Sequence, residues 1–447
     1  MTDLLGIGAS GLSSYRTGLS TIGDNVANAN TAGYVRRDVT LGAAATIGGA
    51  NPLYRDGSAV GGVRVLGVAR AADAYKIADA RLTAADAARA DARARWLATA
   101  ETQLPDGSKG VAMKLTAVYT AADALAADSE GNLPRQAMLT ALDDAASGLR
   151  TSADGLARVS AGIGTEAKDL TDRLNASLSA LSQLNSTLRR LPEGSSAKAA
   201  ALDERDRLLD GIAGAVGIDV SFDAAGAVGI TAAGASGTTL LDGRGPALVS
   251  LAAAEDGRLS LSVERDGAVS ALAPSGGSLS GLVDAAASIA GRRRQLDAVA
   301  VDFAAQINAW NAGGTTRAGT AGAALLAATG AGDIALATDN PAALAAAKGG
   351  SANGNALALA ATRGAGGIEA RAAALVSGLS QSVAAAKVES ASAATRADSS
   401  AAARDAGSGV DLDREAAELI RFQQAYDASA KIVQVARETL QSILQLF

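Results

Sequence analysis

The stretch LDREAAELIRFQQAYDASAKIVQVARETLQSILQLF, residues 412–447, sets the architecture of the chain. Leu412, Leu419, Tyr426, Val433, Leu440 and Phe447 fall at every seventh position. Phe422, Ala436 and Ile443 lie three residues after members of that row. An apolar row at this spacing is the seam of a coiled-coil helix. The opposite end carries a matching stripe. Leu5, Leu12, Leu19 and Val26 form one row, and Gly8, Tyr15, Ile22 and Ala29 form the row three residues on. Two such helices at opposite ends predict that the termini pair.

Composition narrows what lies between them. A chain of 447 residues exceeds one ordinary core, so several domains are expected. It contains no Cys and no His. Disulfides, thiolate nucleophiles, imidazole bases and the commonest transition-metal ligands are therefore absent. A net charge of −6 and 3 % aromatic residues disfavour a nucleic-acid surface. No apolar run reads as a membrane span, and MTDLLGIGASGL lacks the basic start and apolar core of a cleaved signal peptide. Abundant Ala and Gly bury little area per residue, which suits a chain that leans on neighbouring subunits.

Along the chain, a first helix is predicted over 3–30. Its glycines weaken it by about 1 kcal/mol each relative to Ala. It closes in the turn Asn25-Val-Ala-Asn28-Ala-Asn30-Thr31-Ala-Gly33-Tyr34. Short strands or extended loop follow over 35–70. Ala71, Tyr75, Ala78, Leu82, Ala85, Ala92 and Trp96 predict a helix from 71 to 101. Further helices are expected at 109–127, 134–191 and 201–216. Alternation at Ile218, Val220, Phe222 and at Leu259, Leu261, Val263 marks strands, and Asp242-Gly243, Asp256-Gly257 and Asp266-Gly267 mark turns. Helix returns over 278–312, 367–406 and the terminal stretch, with a short helix opening at Asn340-Pro341. The fold class is mainly α with a β-rich insertion.

Three motifs invite chemistry and do not carry it. Gly6-Ile-Gly8-Ala-Ser-Gly11 fits a dinucleotide pattern, but no strand precedes it, and small residues on a packed helix explain it. Asp411-Leu-Asp413-Arg-Glu415 lacks the glycine and ligand count of a calcium loop, and acidic residues suit a first helical turn. Arg292-Arg293-Arg294 reads as a solvated helix face. No catalytic, cofactor-binding or metal residue is assigned, and no cofactor is expected.

The two ends together carry a resemblance. The Asn25–Tyr34 turn after an amphipathic helix resembles the amino-terminal signature of bacterial flagellar axial proteins. Gly409-Val-Asp-Leu-Asp413-Arg-Glu415 and Glu418-Leu-Ile-Arg-Phe422-Gln-Gln-Ala-Tyr426-Asp-Ala-Ser-Ala-Lys431 resemble their carboxy-terminal signature. Tyr34-Val-Arg36-Arg37, Leu202-Asp203-Glu-Arg205-Asp206-Arg-Leu-Leu209-Asp210, Gly277-Ser-Leu279-Ser-Gly281-Leu282 and Gln306-Ile-Asn308 resemble the hook-associated protein 1 (FlgK) family. The chain is short for that family.

The resemblance implies an elongated multi-domain axial protein with paired terminal coiled-coil helices. Its expected domains are 1–34 plus 410–447 (terminal coiled coil), 35–200 plus 278–409 (long-helix rod) and 201–277 (β-rich insertion). It implies a non-enzymatic structural subunit of the hook–filament junction, secreted to the flagellum by type III export without signal cleavage. Expected partners are further copies in a ring, the hook protein on one side and a second junction protein on the other. A cytoplasmic chaperone is expected to hold the carboxy-terminal region, with no nucleic acid and no membrane insertion. The expected assembly interface is Leu5, Leu12, Tyr15, Leu19, Ile22, Val26, Asn28, Asn30, Thr31, Gly33 and Tyr34 with Leu412, Leu419, Phe422, Tyr426, Val433, Leu440, Ile443 and Phe447. Both ends are expected to be poorly ordered in the free chain and ordered by assembly. A hook or distal-rod protein is the nearest alternative, and a secreted coiled-coil effector or adhesin the more distant one.

Overall fold

The computed structural model describes residues 2–31, 33–44, 61–107, 110–234, 237–364 and 366–445, so Phe447 of the expected interface lies outside the described residues. The element order is α1 (Thr2–Ala27), β1 (Arg37–Ala43), β2 (Val63–Arg70), α2 (Ala74–Glu101), α3 (Val111–Ala127), α4 (Asn132–Leu188) and α5 (Ser196–Ala215). Then come β3 (Ile218–Phe222), β4 (Val228–Ala232), β5 (Thr239–Asp242), β6 (Gly245–Pro246), β7 (Leu248–Ala253), β8 (Leu259–Arg265) and β9 (Ala268–Leu272). The chain returns to helix at α6 (Gly277–Ala312), passes the short pair β10 (Leu326–Ala327) and β11 (Ala335–Leu336), and ends with α7 (Gly354–Ala360), α8 (Ile368–Ser408) and α9 (Leu412–Leu444).

The body is built on α4, whose 57 residues span about 86 Å at the rise of an α-helix. Along it Leu142, Leu149, Leu156, Leu174, Leu178 and Leu181 are fully buried, and the helix packs against α3, α5 and α6. On the far side of α6 lie α2 and α8, packed on one another. Small residues allow the tightest of these approaches. Gly281 of α6 sits against the carbonyl of Arg89 on α2, with the Ala92 methyl beside it.

The β-rich segment is two antiparallel meanders, β3-β4-β5-β6 and β7-β8-β9. The Asp266-Gly267 pair holds φ of 51° and 80°, the left-handed backbone that a tight two-residue hairpin requires. Both meanders attach to α4 through asparagines that imitate a strand edge. Asn185 accepts from the Val228 N–H and donates to its carbonyl, each at 2.8 Å. Asn175 does the same for Val249 at 2.9 and 2.8 Å. One core cluster runs through helices and sheets alike. Buried Arg135 fixes the opposite end of α4 by donating to the carbonyls of Ser129, Pro341 and Leu344.

The predicted helix at 71–101 forms, on a different buried side than its large residues suggest, and one expectation needs correcting. The row Tyr75, Leu82 and Ala85 is not one buried face: Tyr75 and Leu82 are exposed, and the buried side of α2 is Ala80, Arg81, Ala85, Ala92, Leu97 and Ala100. Alanine supplies most of that face, so hydrophobicity gave the larger side chains too much weight. The arginine run is not merely solvated either. Arg292 donates to the Gly378 carbonyl on α8 at 2.9 Å, and Arg293 donates to the Asp256 carbonyl at 3.0 Å.

Candidate assembly site at the paired termini

The first and last helices pair, and they pair antiparallel. Gly8 lies against Val433, Gly11 against Ser429 and Gly18 against the Phe422 ring, while Asn25 bonds Glu415. The seam keeps the seven-residue period on both helices, at 11, 18 and 25 and at 415, 422, 429 and 436. Glu415, Phe422, Ser429 and Ala436 are its buried members on α9, joined on α1 by Gly11, Ser14, Gly18, Thr21, Ile22 and Asn25. Tyr15 meets Phe422 edge-on with ring centroids 6.1 Å apart.

Apart from Val433, which meets Gly8, the leucine rows therefore flank the seam instead of forming it. Leu5, Leu12, Leu19, Leu419, Tyr426, Val433 and Leu440 are half-buried, and Val26, Leu412 and Ile443 are exposed. Glycines at the seam let the two backbones approach closely, which turns the large side chains to the shoulders. Among the described residues these apolar side chains remain half-buried or exposed on the shoulders of the helix pair.

The turn after α1 folds back onto it. Asn28 donates to the Asp24 carbonyl at 2.9 Å, Thr31 donates to the Asn28 side chain at 3.2 Å, and Gly33 takes φ of 77°. Asn30 is exposed. The reversal brings the Tyr34 hydroxyl to Asn25 Oδ1 at 2.8 Å. Burial pushes the Tyr34 phenol above its usual range, with the Arg37 charge beside it acting the other way.

Beyond this point the helix pair joins the body through charges. Glu415, 1 % exposed, accepts from Asn25 Nδ2 at 3.0 Å and from Arg36 Nε at 2.9 Å. The Arg36 backbone N–H donates to the Ser408 carbonyl at the end of α8. Arg37 at the start of β1 and Arg70 at the end of β2 both grip Asp203 of α5, each at 2.8 Å. Arg70 also reaches Asp206 at 2.7 Å, and Arg205 closes on the same carboxylate. Further along α5, Asp210 accepts from Arg81 at 2.9 Å and lies 3.9 Å from Arg404 of α8. Burial pushes the Asp203 and Asp210 carboxyls above the ordinary carboxylate range, against the pull of the arginines around them. Such a joint fixes the angle between helix pair and body, because each buried charge is costly without its partner.

This joint gathers three motifs that lie far apart in the chain: the asparagine turn with Arg36 and Arg37, the charged helix at 203–210, and the acidic start of α9. Asn25 and Glu415 escaped the expected interface because an apolar template passes over polar seam positions. Their seven-residue distance from Gly18 and Phe422 is the signal that finds them. Arg70 and Arg81 had no such signal. Among the described residues no cluster of acidic side chains could hold a metal ion, and no helix is long and apolar enough to cross a membrane.

A helical body carried on a joined pair of terminal helices is the plan of a flagellar axial protein. Accordingly, residues 5–34 match the family model described as flagella basal body rod protein, and residues 404–446 match the carboxy-terminal model of the FlgEFG rod proteins. Residues 97–326, half of the chain, match the helical domain of the flagellar hook-associated protein FlgK, and the chain belongs to that family. It is 26 % identical over 247 residues to the flagellar hook-associated protein 1 of Escherichia coli K12 and to that of Salmonella typhimurium. The alignments cover 54 % of this chain and 44 % and 43 % of those relatives, so the match reaches less than half of their length. The structure of the flagellar hook junction protein FlgK from Burkholderia pseudomallei shares the fold, with a TM-score of 0.51 and 22 % identity over 56 % of this chain and 46 % of that one.

Proposed function

We propose that this chain is a structural subunit of the hook–filament junction. It assembles as a ring on the hook and receives a second junction protein and then the filament on its other side. The observation that carries this reading is the match of residues 97–326 to the FlgK helical domain, which separates it from the rod proteins that the two ends also resemble. The half-buried and exposed apolar side chains beside the α1–α9 seam support it physically. Burying them between neighbours gains roughly 25 cal/mol per Å² of apolar surface, which offsets the entropy of ordering the ends. The expected interface residues at the two ends, from Leu5 to Tyr34 and from Leu412 to Phe447, are proposed as that contact.

The role is structural, without catalysis. The three-part division into terminal pair, helical rod and β-rich insertion goes with it, as do type III export without signal cleavage and a cytoplasmic chaperone on the carboxy-terminal region. Deleting the gene and imaging the cells tests the reading. Hooks without filaments, with flagellin released to the medium, are expected. Loss of the hooks would point to a rod or hook protein, and normal filaments would contradict a junction role.

A further inference from the structure

A second apolar feature lies away from the terminal pair. Leu82 of α2 is 60 % exposed and Phe222 of β3 is 51 % exposed, although both belong to rows with core spacing. With Ile77, Ile218 and Val220 they wall a cavity of about 560 Å³, within the range of natural binding pockets. The arginines lining it are engaged: Arg70 by Asp203 and Asp206, Arg205 by Asp206 and over the Phe222 ring, and Arg81 through Nε by Asp210, with Arg81 Nη2 lacking an acceptor among the described residues. Asp79, Asp86 and Asp219 line it too, and no ion pair among the described residues reaches them. The pocket is thus apolar within and carries uncompensated negative charge.

The complement to such a pocket is a bulky apolar side chain beside a cation. β2 presents one. Arg64 and Leu66 lie two residues apart on it, with Leu66 bulged out of the β1–β2 register. Leu66 is 53 % exposed, and Arg64 is exposed with no carboxylate partner among the described residues. Arg70, which lines the pocket, is four residues further along the same strand, about 13 Å away in extended backbone.

We propose that Leu66 and Arg64 of one copy dock into the acid-lined pocket of the next copy, repeating around the ring. The partner is a second copy of this chain, and the inference rests on the ring reading given above. Leu66 enters between Leu82 and Phe222, and Arg64 answers the carboxylates of Asp79, Asp86 and Asp219.

The absence of cysteine from the natural sequence makes a direct test clean. A Leu66→Cys chain and a Leu82→Cys chain are co-expressed in cells lacking the gene, and surface flagella are oxidised. A mixed disulfide dimer is expected. Adding Arg64→Glu to the first chain is expected to lower its yield about tenfold, since it sets like charges together, and Asp86→Arg in the second chain is expected to restore it. No mixed dimer, a yield indifferent to Arg64→Glu, or a cross-link to the hook protein in its place would overturn the docking. The two readings separate cleanly. Filaments restored without the dimer leave the junction role standing, whereas a dimer without filaments keeps the docking and removes the junction role.

Discussion

Replacing Glu415 with alanine is expected to lower incorporation of the chain at hook tips by about a hundredfold. Glu415 is buried and binds Arg36 and Asn25. Its removal leaves the Arg36 guanidinium buried, with only Asp38 on the exposed side to answer it. Deleting one partner of a buried ion pair costs about 3–5 kcal/mol, and the remaining Asp38 contact favours the lower end. Three kcal/mol corresponds to about two powers of ten in an equilibrium. The amount of variant retained on purified hooks measures the loss. Glu415→Gln keeps an acceptor for Asn25, so a smaller loss is expected from it. The thermal unfolding of the body should not change in either variant, because the side-chain partners of Glu415 among the described residues, Asn25 and Arg36, belong to the terminal pair and the joint. Equal incorporation of wild type and Glu415→Ala would show that the joint is dispensable.

Gly281→Ala is expected to destabilise the body by about 3 kcal/mol, the cost of overpacking where nothing can yield. A methyl group there overlaps the Arg89 carbonyl, and that atom is helix backbone, not the flexible end of a side chain. Alanine would otherwise favour the helix by about 1 kcal/mol over glycine, so the sign of the effect reports the close approach of α2 and α6 alone. Gly291→Ala on the same helix is the control. Beyond its chain neighbours and its own helix backbone, nothing lies within 4 Å of the position where its methyl would stand, so a neutral or slightly stabilising change is expected there. Urea unfolding of the intact chain measures both. A neutral Gly281→Ala would mean that the two helices are further apart than described.

Much of this arrangement is legible in the sequence. The terminal helices, the β-rich segment at 217–275 and the long central helix come from periodicities that local geometry enforces: seven for a seam, two for a strand, 3.6 for a buried helix face. Asp266-Gly267 announced its hairpin because few residue pairs hold two positive φ angles. The phase of the seam was less legible. Sequence ranks Leu above Gly, and here glycines at 11 and 18 draw the backbones together and move the leucines to the shoulders. In α2 the three-four row announced the helix but not its buried side, where alanine fills the contact and Tyr75 and Leu82 stand exposed. The ionic joint lay beyond pattern reading altogether. Arg37, Arg70 and Asp203 belong to three separate elements, and only the folded chain brings the two arginines onto one carboxylate. The motifs at 36–37 and 203–210 were visible as words, but their meaning as one contact was not.

The central claim is that the paired termini are the assembly element and the body is their cargo. A chain ended after Gly409 tests it most directly, because it removes α9 and with it the seam, Glu415 and the flanking strips. In cells lacking the gene, the truncated body should keep its helical content and its cooperative unfolding while no filaments form on the hooks. Filaments at wild-type number on the truncated chain would contradict the account.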